Sequence, residues 1–101
     1  MIFAVDIGNS NLVIGLMDEE KKISFQGRIR TDRRCTKEEF MVAVRTLLDI
    51  YHVRAEGADG VIISSVVPDL TDLVREGMAM LTGVKPLVVG QGIKTGIRIA
   101  T

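Results

Sequence analysis

The stretch Asp6-Ile7-Gly8-Asn9-Ser10-Asn11 gathers residue types that could hold a phosphate and a metal ion at one place. It lies between two apolar runs, Ile2-Phe3-Ala4-Val5 and Leu12-Val13-Ile14-Gly15-Leu16-Met17, and so reads as a tight turn between core strands. Such a turn can aim successive backbone N–H groups outward and make a concave anion site. Gly8 has no Cβ to obstruct a close approach. Asn9, Ser10 and Asn11 add neutral donors that suit phosphate oxygens. Asp6, at the strand end, can hold Mg²⁺ directly or through water while the metal bridges phosphates. The same residues also make an ordinary hairpin, because Gly, Asn and Ser are common turn formers, and this stretch alone leaves both readings open. A dinucleotide-binding turn is disfavoured: the G-x-G-x-x-G pattern is missing and a strand, not a helix, follows.

Other reactive side chains point to blander roles. Cys35 has no histidine near it in sequence and reads as incidental rather than catalytic. His52 follows a predicted helix, where a cation interacts with the helix dipole. Ser64 and Ser65 lack a nucleophile's partners and read as structural or cleft-lining. Arg28, Arg30, Asp32, Arg33 and Arg34 form a charged stretch, first read as a solvated face, with a dimer or nucleotide contact as the alternative. Lys94 and Thr95 do not meet the G-x-x-x-x-G-K-[ST] spacing of a P-loop. No residues have zinc-ligand spacing.

The elements that must position these groups follow from periodicity. Strands are expected at 1–6 and 12–17, and a third at 23–30, where Ile23, Phe25 and Ile29 alternate with Ser24, Gln26, Arg28 and Arg30. Asp18–Lys22 makes the second hairpin tip. Thr36 and Glu39 fit a capping box that opens a helix with Phe40, Val44, Leu47, Leu48 and Tyr51 as its apolar stripe. A strand is expected at 60–67. A second helix opens at Pro68-Asp69 with Asp69 as cap, buries Leu70, Leu73, Val74 and Leu81, and stops at Gly83. Gly77 inside it costs about 1 kcal/mol against alanine, which suggests close packing there. Met17, Met41, Met78 and Met80 read as core filling, and 86–89 as a last core strand. The glycine-rich tail, 90–101, alternates weakly through Ile93, Thr95, Ile97 and Ile99. The order β-β-β-α-β-α-β implies an α/β fold, a mixed sheet with helices packed on it, of the ribonuclease-H-like kind.

Composition bounds the rest. The 101 residues are one domain's worth, 47% hydrophobic and 26% charged, as in ordinary globular proteins. Thirteen basic and 13 acidic residues cancel, which gives no electrostatic footprint for nucleic acid or an anionic membrane. No apolar run reaches the ~20 residues that span a bilayer, and there is no basic-then-apolar leader. A lone cysteine fits a reducing compartment, so a cytoplasmic protein is expected.

Three segments in order resemble type III pantothenate kinases, of the acetate and sugar kinase, heat-shock ATPase and actin superfamily. Asp6–Asn11 resembles the family's first phosphate motif, D-x-G-N-[ST]. Ile63-Ser64-Ser65-Val66-Val67-Pro68 resembles its strand-to-helix segment, and Val89–Ile97 its G-x-G-x-K-T-G stretch. The resemblance implies a kinase that moves the ATP γ-phosphate to the terminal hydroxyl of pantothenate, the first step towards coenzyme A. It implies ATP phosphates wrapped by Asp6, Ile7, Gly8, Asn9, Ser10, Asn11, Leu12 and Val13, with Asp6 near Mg²⁺. It also implies a monovalent cation (K⁺ or NH₄⁺) and a homodimer when full length. Thr101 stands where several members carry a substrate-contacting tyrosine, and supplies a hydroxyl without the ring. The family's G-A-D-R carboxylate motif and its second phosphate motif are missing from the sequence. Residues 1–101 are therefore expected to be the N-terminal phosphate-binding domain of a longer chain, inactive alone. The alternative is a non-catalytic, nucleotide-sensing regulator of the same superfamily.

Overall fold

The computed structural model describes residues 1–89. Five strands and two helices follow in the order β1 (Ile2–Ile7), β2 (Asn11–Met17), β3 (Ile23–Arg30), α1 (Lys37–Ile50), β4 (Gly60–Ser65), α2 (Pro68–Thr82) and β5 (Leu87–Val89). They form one mixed sheet whose spatial order is β3-β2-β1-β4-β5, which departs from chain order. The first three strands are an antiparallel meander, whereas β4 and β5 join in parallel on the far side of β1. Crossover helices make that possible: a parallel neighbour cannot be reached by a short turn.

Strand alternation sorts side chains to two faces. Phe3, Val5 and Ile7 share a core with Leu12 and Ile14 of β2, with Phe40, Val44 and Leu48 of α1, and with Leu70, Val74 and Met78 of α2. Both helices therefore cover one face. Asp6, Val13, Arg28 and Ser64 fall on the other, because they sit at the intervening positions in register.

Thr36 caps α1 as its sequence requires: its hydroxyl accepts from the Glu39 amide at 3.0 Å, and the Glu39 carboxylate accepts from the Thr36 amide at 2.8 Å. The predicted stripe is confirmed at Phe40, Val44 and Leu48. Tyr51 is exposed instead, at the C-cap, with its ring 5.2 Å from that of Phe25. His52 follows it with φ of 57°, as the chain turns out of the helix.

Helix α2 starts differently from expectation. Val67 is the N-cap, without a side-chain cap bond, and Asp69 lies inside the first turn. Pro68 decides this: its fixed φ suits the first helical position and draws the helix start two residues earlier. Gly83 ends the helix in the left-handed region, φ 76°, as foreseen.

Gly77 is where the helices touch. A Cβ there would lie 2.7 Å from Phe40 Cδ2 and 3.0 Å from Cε2. The methionines divide: Met17 and Met78 are buried, but Met80 is exposed. The last strand also departs from its core assignment, since Leu87 and Val88 are 61% and 39% exposed. It pairs with β4 along one edge, while Pro86 just before it is buried.

Cys35 packs half-buried against the helix-side core. Burial pushes its thiol above the ordinary range, and the charges of Asp32 and Glu39 add to the shift.

Gly77→Ala should destabilise the protein by about 1–2 kcal/mol in urea unfolding, because overpacking against a buried ring outweighs the gain in helix propensity. Gly27→Ala should cost less: the displaced atom, Leu47 Cδ2 at 2.5 Å, is the end of a flexible side chain. Equal costs would contradict this packing account. For Cys35, the raised pKa means less thiolate at a given pH, so the alkylation rate should rise with pH at higher values than for a free cysteine peptide. Asp32→Asn keeps an acceptor for the Arg34 amide and removes a repelling charge, and should move that profile down in pH.

Candidate active site

Strands β1 and β4 run parallel, and their carboxyl ends lie side by side, Ile7 opposite Ser65. In open α/β sheets this is the end at which ligands bind. The chain leaves β1 through the hairpin Gly8–Asn11 and leaves β4 through Val66 and Val67 towards α2. The Val66 amide donates to the Ile7 carbonyl at 3.0 Å, so the two exits are joined. Two of the three sequence segments singled out above thus meet in space. The third begins at Val89 in β5, and its continuation and Thr101 lie outside the described residues.

A recess of about 430 Å³ opens at this junction, lined by Asp6, Gly8, Asn11, Val13, Arg28 and Val66. Asp6 is partly buried at the strand end, and its carboxylate has no hydrogen bond or ion pair among the described residues. The ladder that fixes Asp6 beside Val13 and Ser64 also aims it away from the helices.

The hairpin is only partly arranged as an amide cradle. The Gly8 N–H is already spent on the Asn11 carbonyl at 2.9 Å. Asn9 and Ser10, exposed at the tip, offer amides with no acceptor among the described residues. Gly8 is required for a reason different from the one its composition suggests. A Cβ there would press on the Asn11 oxygen at 3.0 Å, so the turn itself leaves little room for a side chain.

Of the eight turn residues proposed from sequence, Asp6, Gly8, Asn11 and Val13 line the recess. Ile7 and Leu12 send their side chains into the helix-side core, 0% and 4% exposed, and strand alternation is the cause. They can offer only backbone to a ligand on the other face.

Sequence reasoning missed the strut behind the turn. The Thr31 hydroxyl donates to the Gly8 carbonyl at 2.8 Å, and the Thr31 amide donates to the Ser10 carbonyl at 2.9 Å. Arg33 donates to Asn9 Oδ1 at 3.0 Å and stands 4.0 Å from Asp69. Only the charge run 28–34 hinted at it, because these contacts join segments far apart in the chain. Ser65, by contrast, is structural. Its hydroxyl accepts from the Val67 amide and donates to the Val67 carbonyl, both at 3.0 Å, and shapes the entry to α2.

No cluster of three metal-ligating side chains occurs among the described residues, and no described helix is long and apolar enough to cross a membrane. A site for a divalent cation here would rest on the Asp6 carboxylate and on oxygens brought by the ligand. That donor set suits Mg²⁺, which keeps several waters and commonly uses one or two carboxylates with substrate phosphates.

Comparison with known proteins agrees with this architecture. A ROK hexokinase from Thermus thermophilus superposes with a TM-score of 0.61 at 15% identity, over 88% of this chain and 33% of that one. A ROK family glucokinase from Streptomyces griseus, solved with glucose and AMPPNP, gives 0.59 at 17% identity, over 88% and 32%. At such identities the likeness concerns the fold alone. In sequence, a type III pantothenate kinase from Exiguobacterium sp. strain AT1b is 39% identical over 99 residues, which is 98% of this chain and 39% of that protein. This chain therefore spans well under half the length of that relative. The sequence model of the same family matches residues 2–101, and on that match the chain belongs to the type III pantothenate kinase family.

Proposed function

We propose that the complete protein transfers the γ-phosphoryl group of ATP to pantothenate, the entry step of coenzyme A synthesis, and that this chain supplies the ATP-phosphate turn. One observation carries the reading within the family: the carboxylate of Asp6, without a partner among the described residues, opens onto a recess beside a tight glycine turn at the carboxyl ends of two parallel strands. Phosphoryl transfer calls for positioning and charge neutralisation more than for covalent help. In that role the Asn9 and Ser10 amides and the Asn11 side chain donate to phosphate oxygens, and Asp6 orients the metal's water shell. Mg²⁺, when bound, offsets negative charge on the phosphates as the bond to the leaving oxygen breaks.

The strut gives the turn its stiffness. A donor set held in place before the ligand arrives loses less free energy to reorganisation. We extend the proposal to the whole molecule as follows. Residues 1–101 form one domain of the site, and the carboxylate that orients the pantothenate hydroxyl comes from elsewhere in the complete protein, so the isolated residues lack turnover. A monovalent cation, a homodimer and a cytoplasmic location are supported by the family resemblance alone. The regulator reading has no observation of its own in its favour.

In the complete protein, Asp6→Asn should lower ATP-dependent phosphorylation of pantothenate by about 10²–10³-fold, the scale of losing one preorganised electrostatic contact. Its circular dichroism spectrum should stay unchanged. Wild-type turnover in this variant would refute the assignment. Thr31→Val removes the strut hydroxyl while nearly conserving shape, and should lower kcat/KM for ATP about 3- to 10-fold, in line with one neutral hydrogen bond. The KM for pantothenate should not move, and Thr31→Ser should restore most of the loss. A Thr31→Val enzyme with normal ATP kinetics would show that the turn stands without its tether.

A further inference from the structure

Arg28 shares a rung of the sheet with Asp6. The register pairs Asp6 with Val13 and Val13 with Arg28, so all three project to the face away from the helices. At about 4.8 Å per strand, the backbones of Asp6 and Arg28 stand roughly 10 Å apart, too far for a direct ion pair unless both side chains lean together. They do not pair: neither makes an ion pair or hydrogen bond among the described residues, yet both line the same recess. Arg33 is engaged with Asn9 and Asp69, Arg45 with Glu56 and Arg75 with Asp72, whereas the side chains of Arg30 and Arg34, like that of Arg28, have no such partner among the described residues, and of these three only Arg28 lines the recess. Val13 fills the space between the two charges and is 4% exposed.

An acid and a base that flank one recess without touching leave room for an occupant carrying both signs. A phosphate chain with a divalent cation is such an occupant: the cation faces the carboxylate and the phosphate oxygens face the guanidinium. Arginine suits the second position because its charge is permanent and its planar fork matches two phosphate oxygens. We propose that Arg28 is a phosphate-binding residue of the site, holding the nucleotide's phosphate chain from the β3 side opposite Asp6. This deepens the kinase reading and rests on it. The competing anion is the carboxylate of pantothenate. The recess favours the nucleotide, because Gly8 and Asn11 of the phosphate turn form its wall.

The test uses the complete protein with Mg²⁺ and AMPPNP in titration calorimetry, beside steady-state kinetics. Arg28→Gln should weaken AMPPNP binding about 10- to 100-fold, the range of a charge-assisted contact. Adenosine binding and the KM for pantothenate should stay at wild-type values. Arg28→Lys should recover part of the loss, since it returns the charge without the fork. Lys22→Gln, a charge removed from the distant β2–β3 hairpin tip, should change nothing. Wild-type AMPPNP affinity in Arg28→Gln would overturn the proposal, as would a loss confined to pantothenate KM. Failure of the kinase reading is visible separately: the unaltered protein would then not bind AMPPNP with Mg²⁺ at all, and Asp6→Asn would be silent.

Discussion

Strand β1 occupies the centre of the sheet, and its two-residue alternation imposes the constraint from which the rest follows. With Phe3, Val5 and Ile7 fully committed to the helix-side core, Asp6 has no choice of face. A slip of one residue in either neighbouring ladder would bury the carboxylate beneath the helices, where it would have to be neutralised or paired. The core therefore does more than stabilise: the apolar residues on either side of Asp6 aim it. Because β2 and β3 are in register with β1, the same choice places Val13 and Arg28 on the recess side.

The turn after β1 is held from two directions. Within itself, the Gly8 amide closes on the Asn11 carbonyl, an arrangement so tight that a methyl group on Gly8 would meet that oxygen. From outside, Thr31 takes the Gly8 and Ser10 carbonyls. Both bonds use acceptors, and the Asn9 and Ser10 amides keep no acceptor among the described residues. The carboxyl end of β4 completes the arrangement, since Val66 is bonded to the last residue of β1. A ligand at this place would contact segments early and late in the chain, each fixed by the sheet.

Behind the sheet, α1 and α2 are locked by the contact of Phe40 with Gly77. Absence of a side chain at Gly77 lets the ring of Phe40 approach the α2 backbone, and the two helices then form one layer over β1, β2 and β4. That layer backs the central strands on the face opposite the recess.

Short-range signals were legible in the residues themselves. The capping box at Thr36 and Glu39, the stop at Gly83, the alternation in β3, the need for a small residue at Gly77 and the tight turn between β1 and β2 all depend on neighbours within a few positions, and sequence displays such neighbours directly. Even locally, Pro68 overruled Asp69, because a fixed φ selects the first helical position more strongly than a carboxylate selects the cap. Tertiary structure alone decided the order β3-β2-β1-β4-β5, the joining of the β1 and β4 exits, the tether from Thr31 and the sharing of one rung by Asp6 and Arg28. It also decided that Leu87, Val88 and Met80 face solvent although their types favour a core. Each of these depends on which distant segment comes to lie alongside, and no pattern read along one strand or helix specifies its partner.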